Sequence, residues 1–460
     1  MTRPNLAILL TAATAAIVAC NTSPTDTEAF DERVAQVQDE LLGQGFAINT
    51  GSYSLHLEET LRFNSVRPGS DANSGRELFG LALDLETIDT TFGLFEGFSA
   101  AAGGVVTSNG RVCATCHRAQ SLSFGMPPPP LDATIPLTDP LFTGIEADAQ
   151  GDPDAFTNLN DHALFKYRPN RFNLARPDDD PFRKVFFWRK SPPLVNVVFS
   201  PGFLLDGRAR VMFETDRGAV FSHTQSADIR FDDLFTLQNA RDLEAFQFAQ
   251  LSDPQLAALL DDAHPQHDYL ASHPFATVPI STPKQAFGAA VFARDCFSCH
   301  NTPNVFNNRS NVLAIGDDPD RPPQFPPHAP NSGRHFNVGV SERNQHGLRF
   351  TVPVEGGGFE PVVLQLAKEN GTVVMHTVTT DIGLAATTGR VADIGRFKVP
   401  QLRNIKNLGP YFHDNSADTL EEVVDYFNSD EYNHSSDGKK RPIHESPYER
   451  SALLAFLNLL

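Results

Sequence analysis

The sequence predicts a mainly α-helical protein of two domains, interrupted by loop-rich insertions and carrying one small β-hairpin. Three observations predict it. Two copies of one five-residue pattern, "CATCH" at 113–117 and "CFSCH" at 296–300, stand 183 residues apart (296 − 113), about one domain length. Helix-capping signatures stand before the second copy and before two apolar runs near the C-terminus. Between these parts lie stretches rich in Pro, Asp and Asn, which is loop chemistry. The 460 residues, 40% hydrophobic and 20% charged, are ample for compact cores. A formal charge of -19 leaves no basic stretch to track a phosphate backbone, which argues against nucleic acid as a partner.

In chain order, Arg3 precedes the apolar run "LAILLTAATAAIVAC", too short and too early for a spanning helix but suited to an export signal. Its end, Ile17-Val18-Ala19-Cys20, resembles the lipobox of bacterial lipoproteins. That resemblance implies cleavage before Cys20, lipidation of its thiol, and a periplasm-facing protein anchored to a membrane. Asn21 in the next position implies the outer membrane. Residues 21–74 then read as a polar tether and an N-terminal helix, followed by domains at 75–275 and 276–460.

With Cys20 set aside, four cysteines remain: Cys113, Cys116, Cys296 and Cys299. Each pair is followed at once by a histidine, His117 or His300. Cys-x-x-Cys-His is the attachment pattern of c-type haem: two thiols add to the two vinyl groups, and the adjacent imidazole supplies an axial nitrogen to iron. A disulfide within each pair, a four-thiolate zinc site or a thioredoxin-like redox motif are the competing readings. None of them requires a histidine after each pair.

The second motif is delivered by a helix, with Thr282 as N-cap, Pro283 at N1, Gln285 at N3, and Phe287, Ala290 and Val291 at helical spacing. Before Cys113, "AAAGGVVTSNG" reads as loop. Residues 127–187 and 301–333 read as insertions that specify no fold alone. Residues 362–378 alternate β-formers around Asn370-Gly371, which predicts the hairpin. Two helices close the chain, one capped by Asp418 with Glu421 and one by Ser446, Pro447 and Glu449.

With the two motifs in place, the block "GRFKVPQLRNIKNLGPYFHDNSADTLEEVV" at 395–424 is similar to the C-terminal signature of bacterial di-haem cytochrome c peroxidases and of the related enzymes that mature methylamine dehydrogenase. "SPPLVNVVFSPGFLLDGRA" at 191–209 is the matching block of the first domain. The resemblance covers most of residues 75–460 outside the insertions. It implies two cytochrome-c-like domains with one covalent c-type haem each. It further implies a peroxidatic haem on His117, an electron-transfer haem on His300, hydrogen peroxide as substrate, and a small cytochrome c or cupredoxin as electron donor.

The chain departs from that pattern in four places. The family's bridging Trp before Asp-Gly-Arg is Leu205 here, and the single Trp188 lies outside the block. Counted without gaps from Asp206, the family's acid/base Glu is Gln225, a neutral amide, and His223 is the nearest side chain able to move a proton at neutral pH. The distal Met or Tyr of the second haem falls on Phe427, with Tyr426 and Met375 as alternatives more suited to structure than to ligation. An Asn ligand of the family's interdomain calcium aligns with Lys190, beside carbonyls near Leu408 and Pro410, which puts calcium in doubt. His413, Arg403 and Asn404 match the signature and read as structural. The expected activity is peroxide reduction; a protein-oxidising maturation enzyme and a non-catalytic electron-transfer cytochrome are the alternatives.

Overall fold

The computed structural model describes residues 69–80, 107–108, most of 111–143, 154–167, 185–200, 203–209, scattered positions in 212–225, and nearly all of 236–308 and 335–460. The export signal, Cys20, the tether and His223 lie outside the described residues.

Two helix pairs organise the chain. α1 (Ala72–Leu78) packs against the later helix α3 (Leu237–Phe248), and α4 (Pro283–Asp295) packs against α6 (Pro447–Leu457). Both crossings need a glycine. A Cβ on Gly75 would stand 1.8 Å from the Asp242 carbonyl oxygen, and one on Gly288 would stand 1.9 Å from that of Ala452. Both α4 and α6 start as the sequence predicts: Thr282 and Ser446 accept the N–H of Gln285 and Glu449 in capping boxes, with Pro283 and Pro447 in the first turn.

Each pair encloses an apolar core. Phe79, Leu194, Ala240, Leu243 and Phe246 fill the first. Phe292, Phe297, Phe306, Leu420, Leu453 and Phe456 are among those filling the second. The helix that closes the second block, α5 (Leu420–Phe427), is capped one residue later than its sequence suggests. Thr419, not Asp418, accepts from the N3 residue Glu422, and the Glu422 carboxylate takes the Asp418 N–H at 2.6 Å. Asp418 and Thr419 each have a Glu three places on, Glu421 and Glu422, so the sequence pattern fits both registers.

The blocks at 191–209 and 399–417 are one backbone built twice, at a constant offset of 208 residues (404 − 196). Asn196 and Asn404 are both left-handed, at φ 61 and 71, and each opens a 3₁₀ turn, Val197–Phe199 or Ile405–Asn407. Leu204 and Phe412 are left-handed again, and Phe203 bridges Ala209 as Tyr411 bridges Ala417. This local equivalence explains why the two blocks read alike.

Among the described residues the sheets are all two-stranded. The predicted hairpin is present: β8 (Val363–Ala367) pairs antiparallel with β9 (Val373–Thr377), and Gly371 at φ 81 closes the turn. β2 (Leu164–Tyr167) and β3 (Phe187–Lys190) pair across the segment read as an insertion. That segment therefore holds structure: Trp188, Phe186 and Leu164 share a core with Phe350, Val362 and Ile382. The Trp188 indole N–H donates to the Arg349 carbonyl at 3.0 Å, so it is a core residue. Short strands whose partners lie far along the chain leave no periodic signature, which is why this ladder escapes sequence reading. β1 (Thr107–Ser108) pairs with β4 (Thr224–Gln225), β5 (His335–Phe336) with β10 (Phe397–Lys398), and β6 (Thr351–Pro353) with β7 (Phe359–Pro361).

Candidate haem-attachment sites and their junction

Both Cys-x-x-Cys-His motifs form a single helical turn. In α2 (Cys113–Cys116) the His117 N–H donates to the Cys113 carbonyl at 2.9 Å; in the second copy the His300 N–H donates to the Cys296 carbonyl at 3.0 Å. This turn gathers the two thiols and the imidazole into one cluster. The first turn is pinned to α1, since the Ala114 N–H donates to the Phe79 carbonyl at 2.9 Å. The second leaves α4 directly: Cys296 is its C-cap.

Each histidine then meets the same device. His117 Nδ1 lies 3.2 Å from the Phe124 carbonyl, and His300 Nδ1 lies 2.8 Å from the Phe306 carbonyl. Phe124 and Phe306 are both left-handed, at φ 50 and 60, a conformation that costs a bulky residue energy and that aims the carbonyl back at the ring. A carbonyl can only accept, so Nδ1 carries the proton and Nε2 is the nitrogen that would serve as an axial ligand; at His117 the Ser191 hydroxyl stands 3.4 Å from both ring nitrogens. Burial pushes both imidazoles down to about 4, so both are neutral and able to ligate at physiological pH.

Cys113, Cys116, Cys296 and Cys299 form no disulfide, and burial pushes Cys113 up to about 12 and Cys296 well above the ordinary thiol range. Among the described residues no three His, Cys, Asp or Glu side chains stand close enough to hold a metal ion, so the four thiolates do not converge on zinc. The donor set of each motif, two thiols outside any disulfide and one neutral imidazole, fits a covalently attached c-type haem.

The structure also holds a buried charge network that sequence reading missed. Arg189 reaches Asp381 and Asp206, and Arg208 also pairs with Asp206. Burial opposes the Asp206 charge, but the Arg208 and Arg189 guanidinium groups outweigh it and hold the carboxyl well below its usual range. Leu205, in the bridging position, packs against a cluster containing Phe397, Tyr426 and Tyr432, with Phe412 and Phe427 beside it.

The other sequence candidates scatter. Phe427 packs against Phe412, Tyr426 and Tyr432. The Tyr426 hydroxyl donates to the Val338 carbonyl at 2.7 Å, and Met375 is 66% exposed on β9. Gln225 lies on β4, opposite Thr107. His413 is buried and stacks on Phe397 at 4.5 Å, while Arg403 pairs with Asp253 and Asn404 holds its left-handed turn.

A buried acid was also missed. Asp216 is pushed up to about 8 by burial, with the Glu244 charge adding to the shift and the Gln247 amide opposing it. It stands close enough to Cys113 for its charge to be felt at that thiol. Nothing in the sequence near Asp216 marks it, because its partners come from α3.

No protein-family model matches the chain. Among curated proteins it is 24% identical over 318 residues to a cytochrome-c peroxidase, IdrP2, of Denitromonas iodatirespirans, covering 63% of this chain and 72% of the relative. It is 25% identical over 301 residues to a protein of the same name from a Pseudomonas species, covering 59% and 67%. These homologues support the di-haem cytochrome c peroxidase family as the one this chain resembles. They support a peroxidase-type oxidoreductase, and that family implies c-type haem as cofactor. A solved structure, the diheme peroxidase BthA of Burkholderia thailandensis, is 16% identical and covers 85% of each chain, with a TM-score of 0.38.

The calcium implied by the resemblance does not fit this chain. Where an oxygen ligand is expected, the Lys190 ammonium donates to the Leu408 carbonyl at 3.2 Å and to the Pro410 carbonyl. A cation cannot be a ligand to Ca²⁺.

Proposed function

We propose that the chain reduces hydrogen peroxide to water at a haem attached through Cys113 and Cys116. Electrons would arrive one at a time from a small cytochrome c or cupredoxin through a second haem attached through Cys296 and Cys299. The observation that carries the reading is the duplicated motif geometry, in which a Phe carbonyl accepts the Nδ1–H of each histidine and burial keeps the ring neutral. Each haem then occupies its own cytochrome-c-like domain, 75–275 and 276–460. A lipidated Cys20 would hold the protein at the periplasmic face of the outer membrane.

When bound, the first haem supplies the redox iron at which the O–O bond breaks; one peroxide, two electrons and two protons give two waters. The protein's part is to hold the imidazole and to move protons. His117 Nδ1 donates to Phe124, which fixes the ring and raises the basicity of Nε2. His223 is assigned the proton transfer, because Gln225 cannot perform it, and Asp216 is the buried carboxyl able to hold a proton at neutral pH.

Leu205 in place of an aromatic bridge favours a second reading, a di-haem electron carrier, and the packed Phe427 leaves room for a third, a protein oxidase of the MauG type. Steady-state oxidation of a reduced small cytochrome by peroxide separates them. A peroxidase gives turnover that falls by about 10²-fold or more in His223→Ala. A carrier gives none, and a protein oxidase consumes peroxide only with a protein substrate present.

A further inference from the structure

A small pocket lies between the two helix-paired units, lined in part by Lys190, Ser191, Leu408, Pro410 and Asn415. Lys190 is the last residue of β3 and is bonded three times to one turn of the second unit. Its backbone N–H donates to the His413 carbonyl at 2.9 Å, and its Nζ donates to the carbonyls of Leu408, at 3.2 Å, and Pro410. Converging carbonyl oxygens are the donor set of a hard cation, and an ammonium meets the same oxygens with its N–H bonds while carrying its own positive charge. Burial pushes the Lys190 ammonium down to about 8, against the opposing pull of the nearby Asp414 carboxylate, so the group keeps its charge at neutral pH.

The joint lies beside the first candidate haem site. Ser191 follows Lys190 directly, and its hydroxyl stands 3.4 Å from both ring nitrogens of His117. Whatever fixes Lys190 therefore fixes the backbone that borders this histidine.

We propose that Lys190 is a built-in cation that clamps the first unit to the 408–413 turn of the second, in the place where relatives in this family hold a divalent ion, so that the joint needs no metal. The clamp stands on the geometry of Lys190 and does not depend on peroxide turnover. Lys190→Asn restores an oxygen ligand to the same carbonyls; Lys190→Met keeps the length of the side chain and removes both charge and donors.

The test is thermal unfolding of the haem-loaded protein in excess EGTA and then in millimolar calcium chloride, with calcium binding followed by calorimetry. Wild type is expected to bind no calcium and to keep its Tm in both solutions. Lys190→Met is expected to unfold roughly 5 °C or more lower in both, and Lys190→Asn to fall likewise in EGTA and recover with calcium. Stoichiometric calcium binding that raises the wild-type Tm would overturn the proposal, as would a Lys190→Met protein as stable as wild type. Should Lys190→Asn fail to fold, those two measurements decide the matter without it.

Discussion

Arg189 and Asp381 form a bidentate ion pair inside the molecule, Nε to Oδ2 at 2.5 Å and Nη2 to Oδ1 at 2.8 Å, joining β3 to a residue 192 positions later. Both side chains are at most 5% exposed, so solvent does not screen the pair. With Asp206 and Arg208 the network holds two positive and two negative groups. Replacing one partner strands a buried charge. Asp381→Ala should therefore cost about 3–5 kcal/mol in equilibrium unfolding. A loss under about 1 kcal/mol, the range of exposed pairs, would show that the pair is solvated in solution.

The helix crossings make a sharper steric prediction. Alanine at Gly288 would place its Cβ 1.9 Å from a backbone oxygen and 2.6 Å from the Ala452 carbonyl carbon. No rotamer relieves a backbone clash, so α4 and α6 must separate. Gly288→Ala should cost about 1–3 kcal/mol or more, and Gly75→Ala should do the same to α1 and α3. Unfolding midpoints equal to wild type would mean that the helices do not cross so closely.

The duplicated turns predict an equivalence. Asn196→Ala and Asn404→Ala should each lose roughly 1–2 kcal/mol, because both put a Cβ residue without a polar side chain into left-handed backbone. Glycine at the same positions should recover the backbone part of that loss. Paired urea titrations check it, and an effect at one site alone would break the equivalence.

Much of this architecture was legible because capping chemistry is local. The Thr282 and Ser446 boxes and the Asn370-Gly371 turn are written in four consecutive residues each, and the structure has all three. The Thr419 cap was misplaced by one residue because Asp418 and Thr419 both have acids at the right spacing. The motif cysteines and histidines were legible as a pattern. Their supporting atoms were not: the Phe124 and Phe306 carbonyls belong to residues whose type gives no hint of a left-handed turn. Arg189, Asp381 and Asp216 acquire meaning only from partners brought in by the fold, so no window of sequence contains them.

Asp216 carries a pH prediction. Its folded value of about 8 lies above the unfolded value near 3.8, so between these the native state holds a proton that the unfolded state has lost. Stability should therefore fall as pH rises from about 4 to about 8, by at most about 1.4 kcal/mol per unit, and level off above. Asp216→Asn should flatten that slope in denaturant midpoints measured across the window. An unchanged slope would place the buried proton elsewhere.

The duplicated motifs are proposed to carry the two haems of a peroxidase. The most direct measurement is stopped-flow absorbance of the haem-loaded protein, half-reduced and mixed with stoichiometric peroxide. Rapid oxidation of the reduced haem is expected, followed by turnover when a reduced small cytochrome is supplied. A half-reduced spectrum unchanged by peroxide would contradict it and leave an electron carrier.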